Sequence, residues 1–187
     1  TLWSDTKSLK GIKYLKNLED FRCVGSPFAT IDLSKNECLR EFSCKSNENL
    51  KVIKMPQSIQ SIHLYNNAIT ELKLGKTPFL TSLYCGNGNL QKIETGFCPY
   101  LTIINIDNNY ISEIDLSKYP NLVEIFCHNN HLTRLDVSDN PYIETIRCKG
   151  NKNIEIVCRK GQKIEGVTYN PDYKYCIDKG VKITYID

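Results

Sequence analysis

Apolar residues recur along the chain on a fixed ruler. The stretches "LEDFRCVGS" from Leu18, "LREFSCKSN" from Leu39, "IQSIHLYNN" from Ile59 and "LTSLYCGNG" from Leu80 align with one another. "LTIINIDNN" from Leu101, "LVEIFCHNN" from Leu122 and "IETIRCKGN" from Ile143 continue the series. The starts lie 21, 20, 21, 21, 21 and 21 residues apart, a regularity that marks a solenoid of stacked units. In each unit the fourth and sixth positions are buried candidates that alternate with outward ones, the period-two pattern of a strand with one covered face. A second apolar triplet follows with the same spacing, as in "FATIDL" at Phe28, "ITELKL" at Ile69, "ISEIDL" at Ile111 and "LTRLDV" at Leu132. Each unit therefore predicts two short extended segments back to back, with little room for helix. Pro56, Pro78, Pro99, Pro120 and Pro141 fall near the unit boundaries, where proline blocks helix continuation and sharpens a return turn. No unit can bury its apolar edge alone; stacking does so.

The ninth position is Asn47, Asn67, Asn109, Asn130 or Asn151 in five units, with Ser26 and Gly88 in the other two. A turn after each strand leaves backbone groups facing inward, and a side-chain amide satisfies them where an apolar residue cannot. These asparagines predict a structural ladder. Two irregularities stand out. The second unit has an extra residue in "NENL", and the third, "MPQSIQSIHLYNN", lacks a cysteine and is shifted by one residue.

The unit "LVEIFCHNNHLTRLDVSDNP" at 122–141 resembles the short bacterial leucine-rich repeats common in exported proteins of Bacteroides-type gut bacteria. The resemblance spans 15–158 and implies a right-handed leucine-rich repeat solenoid, mainly β with little helix. It further implies a parallel sheet on the concave face, a role in binding other molecules, and an exported, cell-surface or periplasmic location. The motif specifies the fold and says little of function. The ends differ from the middle. Residues 1–14, with Trp3, Leu9 and Ile12 at helical spacing continued by Leu15, predict an N-terminal cap. Residues 159–187 carry alternation in "VKITYID" and turn signals at Asn170-Pro171 and Lys179-Gly180, which predict a β-rich C-terminal cap. The tyrosines of that segment, Tyr169, Tyr173, Tyr175 and Tyr185, fit either a cap or a docking surface, and covering an open rung favours the cap.

Charge narrows the function classes. The chain has 187 residues and a net charge of +3 from 24 basic and 21 acidic residues with the signs interspersed, unlike the clustered basic face that binds nucleic acid. No apolar run approaches the roughly 18–20 residues of a membrane-spanning helix. The sequence begins at Thr1, as a trimmed or mature fragment would, so the lack of a leader carries no weight on export.

Nine cysteines invite a chemical reading. Cys23, Cys44, Cys85, Cys127 and Cys148 share the sixth position, and no pair has zinc-ligand spacing. Neighbours would stand about 4.8 Å apart with both side chains pointing the same way. This predicts five free thiols acting as small buried hydrophobes. Cys38, Cys98, Cys158 and Cys176 lie elsewhere, and a Cys158–Cys176 bridge is left open by the sequence. Many unpaired cysteines suit a reducing or anaerobic setting.

Catalysis finds no constellation. His63 and His128 are three rungs apart, about 14 Å at the strand spacing, and the "HNNH" of His128 and His131 is a weak pair. Glu71, Glu113, Asp115 and Asp136 read as a solvated face. No metal, cofactor or reaction is expected. What remains is the outward face of the first strands. Position five reads Arg22, Ser43, His63, Tyr84, Asn105, Phe126, Arg147, and position seven reads Val24, Lys45, Tyr65, Gly86, Asp107, His128, Lys149. Exposed aromatics rimmed by polar groups have the composition of a binding surface. The candidate surface is His63, Tyr65, Tyr84, Phe126 and His128, with Arg22 and Arg147 toward the ends. Against this stands the reading that the rings only pack on one another or on a cap. Two functions remain: a non-catalytic module recognising a protein or glycan, or a structural spacer or adhesin segment of a larger surface protein.

Overall fold

The structure, a computed structural model, describes residues 8–162 and 181–187. The features noted at Trp3, Tyr169, Asn170-Pro171, Tyr173, Tyr175, Cys176 and Lys179-Gly180 lie outside the described residues. The chain winds as a parallel β-solenoid of seven turns. Its strands in order are β1 (Asp20–Val24), β2 (Thr30–Asp32), β3 (Glu41–Lys45), β4 (Val52–Lys54), β5 (Ser61–His63), β6 (Glu71–Gly75) and β7 (Ser82–Tyr84). They continue as β8 (Lys92–Thr95), β9 (Ile103–Asn105), β10 (Glu124–Phe126), β11 (Arg134–Asp136), β12 (Thr145–Arg147), β13 (Glu155–Arg159) and β14 (Lys182–Ile186). The first strand of every unit joins one seven-stranded parallel sheet, ordered β1-β3-β5-β7-β9-β10-β12.

Register in this sheet follows the apolar ruler. Phe21 pairs with Phe42, Ile62 with Leu83, Leu83 with Ile104 and Ile125 with Ile146. All of these are at most 1% exposed, so the fourth position is a continuous column of core. A one-residue slip would put that column into water.

The second segments form three separate sheets, β2-β4, β6-β8 and β11-β13-β14. The first break falls where the sequence is irregular. Ile31 pairs with Ile53, 22 residues on, whereas Phe42 pairs with Ile62, only 20 residues on. The second unit thus gains one residue after its first strand and loses two before the third unit begins, for a net length of 20. A second interruption comes in the fifth unit. There Asp115 caps a short 3-10 helix, Leu116–Lys118, by accepting the Ser117 N–H at 3.2 Å.

The asparagine ladder closes the turns. Asn67 Nδ2 donates to Cys44 O at 2.8 Å, Asn109 Nδ2 to Cys85 O at 2.8 Å, Asn130 Nδ2 to Ile106 O at 2.9 Å and Asn151 Nδ2 to Cys127 O at 2.8 Å. Their Oδ1 atoms accept from the unit before, Asn109 from Leu90 N and Asn130 from Ile111 N. Each amide therefore bridges two rungs. The residue just before it is left-handed in every unit: Gly25, Ser46, Asn66, Asn87, Asn108, Asn129 and Gly150 have φ between 50° and 81°. Glycine and asparagine enter that region at least cost, which accounts for the residue at position eight in six of the seven units, Ser46 being the exception.

One sequence expectation is overturned. Cys23 and Cys44 are joined as a disulfide with their Cα atoms 4.8 Å apart, so the five ladder cysteines are not all free thiols. Parallel side chains need not converge from the backbone. The lateral strand spacing already lies inside the range for a disulfide, and rotation about the Cα–Cβ bonds brings the sulfurs together. At the N-terminal end a single 3-10 turn, Ile12–Tyr14, is held by Asn36, whose Nδ2 donates to Ile12 O at 2.8 Å and Leu15 O at 2.9 Å. At the other end β14 pairs in parallel with β13.

Candidate binding surface on the seven-stranded sheet

The alternation that buries positions four and six turns positions five and seven to the outer face of the sheet. Neighbouring strands there bring side chains 21 residues apart into contact. His63 and Tyr84 are direct register partners, and their rings stack with centroids 4.7 Å apart at 11°. Tyr65 leans against both at 6.4 Å, and Lys45 Nζ lies 5.6 Å from its ring centre. Gly86 makes room for this cluster: a β-carbon there would meet Asn105 Oδ1 at 3.0 Å and a Tyr65 ring carbon at 3.3 Å. A second group lies farther along. The Arg147 guanidinium sits 4.9 Å from the centre of the Phe126 ring, a cation–π pairing.

Polar groups lie between the two. Asp107 Oδ1 accepts the His128 backbone N–H at 2.7 Å, and Asn105 Nδ2 donates to Asp107 Oδ2 at 3.3 Å. Burial raises the Asp107 carboxyl above its ordinary pKa, and the His128 N–H opposes that rise. His63 is held below the ordinary imidazole value, first by burial and then by the Lys45 cation. Burial, then Tyr84, raises the Tyr65 phenol.

The structure thus brings His63, Tyr65 and Tyr84 together, pairs Phe126 with Arg147, and sets the His128 backbone on Asp107. It does not bring Arg22 into the group. Arg22 lies two strands from His63 and is engaged by Asp20 at 2.9 Å and Glu41 at 3.1 Å.

Ser61 Oγ lies 3.0 Å from His63 Nε2 and 2.8 Å from Ser82 Oγ. Around His63 the Lys45 and Arg22 cations lower the imidazole pKa and the Glu41 carboxylate raises it, with burial the largest influence. Among the described residues no group of three or more His, Cys, Asp or Glu is placed to hold a metal ion, and no helix is long and apolar enough to cross a membrane.

Two surface features escaped the sequence reading. Asn108 Nδ2 donates to Asn87 Oδ1 at 2.8 Å and Asn129 Nδ2 to Asn108 Oδ1 at 2.7 Å, an exposed amide row along the turns. Beside it a recess of about 530 Å³ is lined by Tyr110, His131 and Lys152. The other is a column at the last position of the units, where Phe79, Tyr100 and Tyr142 are 52%, 56% and 61% exposed. Its signal was an aromatic directly after the boundary proline, as in Pro78-Phe79 and Pro99-Tyr100.

No protein-family model matches the chain, and neither does any curated protein. Among solved structures it is similar to the functional domain of InlJ from Listeria monocytogenes, which includes a cysteine ladder. The superposition has a TM-score of 0.52 at 18% identity and covers 82% of this chain. The fold is that of a leucine-rich repeat solenoid. The chain spans 45% of the length of that neighbour, so the likeness concerns the winding of the backbone. The sixth-position column of this chain carries five cysteines in seven turns.

Proposed function

We propose that this chain is a non-catalytic recognition module of an exported or surface-associated bacterial protein, and that it binds a protein or glycan on the concave, outer face of its seven-stranded sheet. The observation that carries this reading is the His63–Tyr65–Tyr84 cluster, three half-buried rings packed side by side at the middle of that sheet. Such rings offer large apolar area at little entropic cost. Stacking along the solenoid axis fixes their orientation before a partner arrives, which lowers the cost of binding. Asp107, Asn105 and the Tyr65 and Tyr84 hydroxyls supply directional polar contacts around the rings, and Phe126 with Arg147 extends the surface toward the last turns.

The test is a screen of the domain on protein and glycan arrays, followed by titration of each ligand found. Phe126→Ala and Tyr84→Ala should each weaken binding by about 1–3 kcal/mol, roughly 5- to 150-fold, with melting temperatures near wild type. Unchanged affinity in both variants would remove this patch as the site.

A further inference from the structure

The sixth position along the stack reads Cys23, Cys44, Leu64, Cys85, Ile106, Cys127, Cys148. Cysteines in neighbouring rungs therefore occur twice, once near each end, with Cys85 isolated between Leu64 and Ile106. The first neighbouring pair, Cys23 and Cys44, are direct register partners and are joined. The second pair follows directly on two paired strands. β10 and β12 run parallel with Ile125 opposite Ile146 and Phe126 opposite Arg147. The Cys127 N–H then donates to Arg147 O at 2.8 Å, which carries the ladder one residue on and sets Cys127 beside Cys148. Both side chains face the core, at 0% and 1% exposure, as Cys23 and Cys44 do.

We propose that Cys127 and Cys148 are the site of a second cross-strand disulfide, formed during folding by exchange with a small-molecule disulfide such as oxidised glutathione. The thiolate of one cysteine attacks a sulfur of the oxidant, forming a mixed disulfide and releasing one glutathione thiolate. The second cysteine then attacks the protein sulfur of that mixed disulfide and expels the other glutathione. Two protein thiols lose two protons and two electrons, and one glutathione disulfide becomes two thiols. Burial keeps the Cys127 thiol protonated and shields it from the oxidant, so the exchange belongs to a stage before β10 and β12 have packed. Cys85 is excluded by the same geometry. The nearest ladder cysteines, Cys44 and Cys127, are two rungs away, roughly 9.6 Å at the strand spacing and beyond the ~7 Å limit between Cα atoms. The pattern of cysteine and aliphatic residues thus assigns two staples and one lone thiol. Each staple lies near an end of the sheet, where a stacked-repeat protein frays first.

The experiment is to unfold the whole chain in reductant and refold it across a series of oxidised-to-reduced glutathione ratios, up to oxidised glutathione alone. Each sample is quenched with an alkylating reagent in denaturant and digested without reduction for mass analysis. The expected result is a Cys127–Cys148 peptide pair appearing together with the Cys23–Cys44 pair, while Cys85 carries the alkyl label throughout. In Cys148→Ser the Cys127 peptide should become fully labelled and the Cys23–Cys44 pair should persist. The proposal is overturned if Cys127 and Cys148 are separately labelled where Cys23 and Cys44 are joined. It is overturned equally if neither pair forms in oxidised glutathione alone, or if Cys127 is found joined to Cys85 or any other cysteine.

Discussion

The two strand-bearing faces of the solenoid are built from the same apolar spacing and differ in almost everything else. The first face is one unbroken sheet of seven strands, and its central outward positions hold His63, Tyr84, Asn105 and Phe126. The second is three short sheets whose outward positions are laced with opposite charges. Lys54 lies 3.6 Å from Asp32, Lys73 is 2.8 Å from Glu71, Lys92 is 2.7 Å from Glu94 and Arg134 is 2.7 Å from Asp136. Exposed pairs of this type are screened by water and contribute little to stability, but they keep a surface hydrated. On the first face the ion pairs of Arg22 with Asp20 and Glu41 lie on the first two strands, and the His63, Tyr65 and Tyr84 rings beyond them present apolar area. The lesson is that equal spacing makes both faces foldable, while the residues placed between the core positions give each face its own chemistry.

The largest effect that could break this comparison comes from the core column. Ile125→Ala, at a fully buried position, should cost about 2–5 kcal/mol of stability. Phe126→Ala, one residue on and facing outward, should leave the melting temperature close to wild type. Chemical denaturation of both variants checks this, and a comparable loss at Phe126 would show that the outward face carries fold stability after all. A smaller loss is expected at the amide ladder. Asn130→Ala leaves the Ile106, Cys127 and His128 carbonyls and the Ile111 N–H without their side-chain partner, a change of about 1–3 kcal/mol. An isosteric Asn130→Asp, which keeps the acceptor and loses the donor, should also destabilise. If either variant melts like wild type, the ladder is not what closes the turns.

Smaller still is the pH effect at His63. Its folded-state pKa lies below the ordinary 6.5 because of burial and the Lys45 cation, so the unfolded chain takes up the proton more readily. The neutral imidazole therefore contributes stability above about pH 6.5, and this is lost as the pH falls through the folded-state value. Thermal melts of wild type and His63→Gln from pH 7.5 down to 5 should show the wild type losing more on acidification. Parallel curves would mean that the ring is not desolvated by its neighbours.

Much of this architecture is legible in the sequence because it is periodic. Leu80, Leu83 and Cys85 name the same rung positions as Leu122, Ile125 and Cys127, and a pattern repeated seven times fixes strand, face and order together. The outward alternation at His63, Tyr84 and Phe126 was legible for the same reason. Contacts that depend on side-chain rotation were not. Whether Tyr65 leans over Gly86, or whether two parallel cysteines turn their sulfurs toward each other, is decided by torsions that leave no mark on spacing. The left-handed residue at position eight did leave one, a column of Gly, Ser and Asn from Gly25 to Gly150. The tyrosine core contact, Tyr119 Oη to Thr95 Oγ1 at 2.9 Å, joins residues from different units at non-equivalent positions, which a repeat alignment cannot pair.

The most direct test of the difference between the two faces is a matched pair of double variants. Tyr84→Ala/Phe126→Ala strips rings from the seven-stranded sheet, and Lys73→Ala/Glu94→Ala strips charges from the second face. Each is titrated with the ligands found on the arrays by wild type, at low and at physiological salt. The ring-stripped protein should lose binding by at least about tenfold, a difference of roughly 1.4 kcal/mol, while the charge-stripped protein binds as wild type does at both salt concentrations. Loss of binding in the charge-stripped protein with retention in the ring-stripped one would contradict the account and move the recognition surface to the other side of the solenoid.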